Sequence, residues 1–193
     1  MTATIATQNR EEWLNKASLL IDSEILEPLT DLQSNRALRI AIAPMRSKRL
    51  GECYPSSRND DGANEIVITA HCDDSELILA VLVHEKIHAL DDCKHQHGPV
   101  FRKAALAVGL EGKMTATVAG PKLAATLKEY VELLGPIPHS AMSHVAKDKG
   151  RNNNKLVCDD CGFKANLSAK WAMRTGDGFQ CPVCLMHNTR TIT

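Results

Sequence analysis

No apolar run in this sequence approaches the roughly 18 residues that a membrane-spanning helix needs. Its start, MTATIATQNREEW, lacks both the basic segment and the apolar stretch of a secretory leader. The first absence argues against a helical span and the second against secretion, so a cytoplasmic chain is expected. Net charge is missing too, because 23 Lys and Arg balance 23 Asp and Glu. That balance hides an asymmetry: after residue 146, eight basic residues oppose four acidic ones, and the tail carries the excess positive charge. A disulfide framework is also absent. The seven cysteines comprise two Cys-x-x-Cys pairs and three scattered residues, a pattern of metal ligation in a reducing compartment. Cys53, Cys72 and Cys93 are then expected to be small buried hydrophobes.

What is present resembles ordinary globular usage, with 44% hydrophobic and 24% charged residues in 193, enough for one domain and a smaller module. Trp13, Leu14, Ala17, Leu20, Ile21 and Ile25 recur at helical spacing between Glu11 and Leu26. ALRIAIA at 37–43 and NEIVITA at 64–70 read as strands, separated by a long loop full of turn residues. Asp73 with Glu76 suits a capping box and predicts a helix from about Asp74, apolar around most of its circumference from Leu77 to Val83. Gly98-Pro99 opens another helix that Gly109 stops, and a further one runs through PKLAATLKEYVELLG. HSAMSHVAKDKGRNNNK has the composition of a linker. The expected division is 1–140, a linker at 141–155, and a small module at 156–193. The hexapeptide MTATIA recurs as MTATVA at 114, and without a sustained period it signals no repeat architecture.

The stretch HEKIHALDDCKHQHGPVF holds four of the eight histidines. On a helix His84 and His88 differ by only about 40° in direction and lie one turn apart, so both can reach one ion. Glu85 is turned about 100° from His84, too far to be the third ligand of that ion but able to reach a water beside it. This is the His-Glu-x-x-His arrangement, in which a metal acidifies a water and the carboxylate takes its proton. Unpaired, such polar groups after Leu79-Ala-Val-Leu-Val83 would cost several kcal/mol to bury. A catalytic zinc takes three protein ligands and keeps one position open. His97, fixed before Gly98-Pro99, is the favoured third ligand, and His95 reads as a solvated loop residue. Asp91 is a candidate acceptor for the second nitrogen of an imidazole, or equally a solvated acid at the helix end.

Cys158, Cys161, Cys181 and Cys184 have the spacing of a four-cysteine structural zinc site. Four thiolates fill a tetrahedron, so this second metal is architectural, and so short a segment depends on it to fold. Lys155, Lys164, Lys170, Trp171 and Arg174 are candidate nucleic-acid contacts, charges for phosphates and a ring for bases. The competing reading makes Phe163, Trp171 and Phe179 the module's minimal core. His71, His139, His144 and His187 read as isolated, Met114 has no assigned role at the metal, and Tyr54 and Tyr130 read as core or surface residues rather than oxyanion donors.

LVHEKIHAL followed by HGPVF, preceded by EIVIT and by LGEC, resembles the SprT-like zinc metallopeptidases, which include the Spartan DNA–protein crosslink proteases. The similarity covers roughly Ile40 to Gly109, with a family-like ribbon at the C-terminus. It implies a zincin-like α+β metallopeptidase domain, a small sheet packed by helices, followed by a four-cysteine zinc ribbon. It also implies zinc on His84, His88 and His97 with Glu85 as general base. Relatives commonly have Glu where this chain has Val100, a difference that touches no catalytic residue. The expected function is zinc-dependent cleavage of DNA-bound or DNA-crosslinked proteins, with the ribbon bringing the enzyme to DNA, single-stranded DNA included. The alternatives are a non-proteolytic nucleic-acid-binding or transcription-associated zinc protein, and a ribbon that holds a protein partner. Oligomeric state is not readable from the sequence.

Overall fold

The computed structural model describes residues 9–29, 32, 36–45, 48–143, 154–175 and 178–192. The chain divides into two compact units, Met1–His144 and Val145–Thr193. Most of the expected linker, with Lys147, Lys149 and Arg151, lies outside the described residues, as does His144. The described residues form five α-helices and three small sheets, a mixed α/β structure, and none of the helices is long and apolar enough to cross a membrane.

The first unit opens with α1 (Arg10–Leu20), whose first turn is capped by Asn9 accepting from the backbone N–H of Glu12. The helix runs on as a π-helical segment, Ile21–Leu26, rather than staying α to Leu26 as the spacing predicts. Trp13, fully buried, donates its indole N–H to the carbonyl of Gly135 at 2.9 Å. The sheet has the order β1-β3-β2: β1 (Leu38–Ala43) lies parallel to β3 (Asn64–Thr69), with Ile40 opposite Ile66, and β2 (Gly51–Tyr54) lies antiparallel to β3, with Cys53 opposite Ile66. β2 corrects the expectation of one long loop between two strands. Four residues ending at Tyr54, just before Pro55, give too short an alternation to stand out from turn chemistry.

The helix α2 (Ser75–Leu90) begins one residue later than the capping box suggests. Asp74 is its N-cap and accepts from the backbone N–H of Leu77, while Asp73 reaches the backbone N–H of Ala141 instead. Ile78, Leu79, Leu82, Val83 and Ile87 are buried, and so are Glu85, Lys86 and His88, so polar groups enter the interior on more than one side. Lys86, two residues from His84 and thus on nearly the opposite face, turns toward α1, where its ammonium donates to the hydroxyl of Ser18 and lies 2.9 Å from Asp22. Burial pushes the pKa of Lys86 down.

A loop leads from α2 to α3 (Pro99–Ala107), and β4 (Leu110–Lys113) pairs with β5 (Ala116–Ala119) in a hairpin before α4 (Pro121–Leu134). α4 buries Leu123, Leu127, Tyr130 and Leu134, one stripe of a 3.6-residue period. In the second unit β6 (Lys155–Cys158) is central, flanked antiparallel by β7 (Lys164–Asn166) and β8 (Thr189–Ile192), and α5 (Ala169–Thr175) lies between β7 and β8 in the chain.

Candidate metal centres

His84 and His88 stand one turn apart on α2, and the loop into α3 returns His97 to them. The Nε2 atoms of His84 and His88 each lie 3.2 Å from Nε2 of His97. Two nitrogens on one tetrahedral ion, each at about 2.0–2.1 Å, are about 3.3 Å apart. The three imidazoles fit a shared metal ion and form a cluster that could hold one. Phe101, on the first turn of α3 and 1% exposed, packs against all three rings and stacks on His88 at 4.3 Å between centroids. Burial pushes His84 down to about 4 and His88 down to about 3, reinforced by the neighbouring imidazoles. His97 is lowered as well, by burial. All three are therefore held neutral, the form that binds a metal.

The Nδ1 of His84 lies 2.8 Å from the hydroxyl oxygen of Thr117 on β5, which fixes the ring's orientation. No sequence signal marks Thr117. It belongs to the MTATVA hexapeptide, and the β4–β5 hairpin that carries it is short and largely exposed. Asp91 does not support a ring of this cluster. One oxygen accepts from the backbone N–H of His95 and lies 3.1 Å from its Nδ1, and the other is buried without a hydrogen-bond partner. His95 is exposed and outside the cluster.

Glu85 is 7% exposed and lies outside the histidine cluster. Its carboxylate is pushed up to about 7, by burial first and by the charge of Glu52 second, while the backbone N–H of Cys53 hydrogen-bonds to it and limits the rise. Gly51 makes room for this group. A Cβ on Gly51 would sit 2.8 Å from Oε1 of Glu85 and 2.6 Å from Cγ1 of Val81, so β2 passes this close to α2 only without a side chain there. A buried carboxyl group with a pKa near neutrality can both take and return a proton.

No family model matches the chain, and no curated protein matches it.

The second cluster joins Cys158, Cys161, Cys181 and Cys184. Cys158 and Cys184 lie 3.6 Å apart, as do Cys161 and Cys181. Thiolates on one tetrahedral ion at about 2.3 Å stand about 3.8 Å apart, whereas a disulfide needs about 2.05 Å, so this cluster too could hold a metal. Both pairs fold into the same turn. The backbone N–H of Gly162 bonds to the carbonyl of Cys158 and that of Leu185 to the carbonyl of Cys181, each at 2.9 Å. Cys158 N–H reaches Phe163 O, and Cys181 N–H reaches Met186 O. Gly162 and Leu185 occupy the same left-handed position, with φ of 73° and 62°.

The candidate nucleic-acid contacts fall into two groups. Lys170, Trp171 and Arg174 share α5, and the Arg174 guanidinium lies 5.7 Å from the centre of the Trp171 ring. Lys164 pairs opposite Val157, two residues from Lys155, so both lysines lie on one face of the sheet. Trp171 and Phe179 are 53% and 46% exposed, and Phe163 is half-buried. The rings are therefore not the module's core, which among the described residues consists of Leu156, Val157, Cys158, Cys181 and Thr189.

Burial and partners place the remaining residues that the sequence singled out. Cys53, Cys72 and Cys93 are partly buried rather than fully buried, and Cys53 and Cys72 pack against the core. The hydroxyl of Tyr54 donates to Glu52 and that of Tyr130 to Glu24. His71, His139 and His187 each contact a backbone carbonyl, and Met114 is buried in the core.

Proposed function

We propose that the first unit is a zinc-dependent peptide hydrolase of SprT-like, zincin type, and that the second is a zinc ribbon that brings it to DNA-bound proteins. The observation that carries this reading is the place of Glu85: next to a metal-binding histidine, buried, outside the ligand cluster, and titrating near neutrality. A purely structural metal site has no use for such a carboxylate. His84, His88 and His97 would hold the catalytic ion, which when bound supplies Lewis acidity toward water and toward the scissile carbonyl. Glu85 takes a proton from the attacking water and returns it to the leaving amine nitrogen. The N–H of Cys53 keeps the carboxylate oriented for both transfers, and Thr117 keeps His84 turned toward its ligand position.

For the ribbon, Lys155, Lys164, Lys170 and Arg174 offer charge to phosphates, and exposed Trp171 offers a stacking surface for unpaired bases. Single-stranded DNA is the form that leaves bases free to stack.

The test compares the zinc-loaded wild type with Glu85→Gln, each mixed with a DNA-binding protein, with and without single-stranded DNA, scoring fragments by mass spectrometry. Fragments made only by the wild type, and more of them with DNA, are expected. If neither protein cuts and both bind DNA in a salt-dependent way, the chain is a nucleic-acid-binding zinc protein instead.

A further inference from the structure

Two cysteines that belong to neither metal cluster meet beside the histidines. The sulfurs of Cys53 and Cys93 are 3.4 Å apart, and the Cys93 thiol also lies 3.5 Å from the carbonyl oxygen of Cys53. Both are free thiols and neither is fully buried, which leaves a path for a small oxidant. Neither position is neutral with respect to the site. Cys53 lies on β2, and its N–H holds the carboxylate of Glu85. Cys93 lies on the loop between His88 and His97, and its N–H bonds to the carbonyl of His88.

That loop holds unusual backbone. Asp92, Cys93 and Gln96 have φ of 57°, 57° and 44°, the left-handed region that non-glycine residues rarely adopt. Asp92 is held there by the N–H and hydroxyl of Ser56 and by the side-chain amide of Asn64. The Cys93 side chain is thereby presented to β2. A disulfide needs its sulfurs at about 2.05 Å, and the remaining approach is within the reach of a loop adjustment.

We propose that Cys53 and Cys93 are a reversible redox pair whose disulfide ties β2 to the loop carrying His97 and clamps the histidine cluster. The oxidant is a hydroperoxide. One thiolate attacks the peroxide oxygen, which leaves the sulfur as a sulfenic acid and releases water. The second thiol then displaces that hydroxyl as a second water and forms the S–S bond. Two thiols and one hydrogen peroxide thus give one disulfide and two waters. A dithiol reverses the step by exchange, which restores both thiols. In a reducing compartment the pair stays open until oxidant arrives. The linkage is independent of what the histidines bind; its effect on metal retention rests on their holding an ion.

The test uses the full chain loaded with zinc, so that the ribbon thiols are occupied, and hydrogen peroxide as the probe. Tryptic maps without reductant should join Leu50–Arg58 to Ile87–Lys94, each holding one of the two cysteines, and a dithiol should release them. Cys93→Ser, on a loop, removes the joined species even if Cys53→Ser fails to fold. Recovery of both cysteines as alkylated free thiols after oxidation, or linkage only among ribbon cysteines, overturns the proposal. In the oxidised wild type, loss of metal from the histidines to a chelator should be roughly tenfold slower than in the reduced protein or in Cys93→Ser. An equal or faster loss overturns the clamp. If the histidine cluster takes up no metal, that reading fails separately, and the peptide map still decides the linkage.

Discussion

The hydroxyl of Thr117 holds Nδ1 of His84 at 2.8 Å, so a residue on β5 sets the orientation of an imidazole on α2. Thr117→Val keeps the shape of the side chain and removes the contact. It should weaken metal binding at the histidines by about 10-fold or more while leaving the fold intact, and Thr117→Ser should restore most of it. Competition against a chelator of known affinity, with circular dichroism as the fold control, checks both.

Gly51→Ala places a methyl group where Glu85 and Val81 already stand. Either β2 lifts or the carboxylate moves, at an expected cost of about 1–3 kcal/mol. Because Glu85 lies outside the histidine cluster, metal affinity should change little while the proposed peptide hydrolysis falls. Thermal melts, metal titration and a cleavage assay together separate these effects.

In the metal-free protein, Glu85 and the histidines respond to pH in opposite senses. Glu85 is raised from 4.5 to about 7, so the folded state binds the extra proton and stability is lost as pH rises through that window. His84 and His88 are lowered from 6.5 to about 4 and about 3, so the unfolded chain binds protons first and stability is lost as pH falls below 6.5. Glu85→Gln removes only the first effect. Its stability should gain on the wild type as pH rises from 4.5 to 7, by on the order of 3 kcal/mol in all. Urea unfolding of both proteins at pH 5 and pH 8 in chelator tests this, and parallel pH profiles would refute it.

The two cysteine turns make a matched pair of substitutions. Leu185 adopts the conformation that Gly162 adopts in the other turn. Leu185→Gly should stabilise the second unit by about 1 kcal/mol, and Gly162→Leu should destabilise it by a similar amount. Retention of the four-cysteine metal during a chelator titration reports the difference.

These predictions also mark how far the sequence could be read. The motif on α2 was legible because a helix fixes the direction of every side chain, so His84, His88 and Glu85 acquire their relations from numbering alone. His97 was legible because Gly98-Pro99 fixes the backbone beside it. Thr117 and Gly51 were not, since each acts through a contact between elements distant in the chain, on strands of four residues with little alternation. The reading of Asp91 failed for a related reason: the acid lies near several imidazoles, and only the loop's path gives it to His95. The four-cysteine cluster followed from spacing, whereas the exposure of Trp171 did not, because a ring in so small a module can serve equally as core or as surface.

The three histidines lie within one short segment, the end of α2 and the loop that follows, while Thr117 comes later in the chain and Gly51 earlier. Closing so short a loop around an ion carries a small entropic cost. During synthesis, the three histidines have emerged before the hairpin that orients His84 exists. An ion held by them would seat on the helix first, and the arriving hairpin would then fix a ring already in place. The four cysteines follow a different rule: Cys181 comes 20 residues after Cys161, so an ion held by all four would wait for the second turn to close on it.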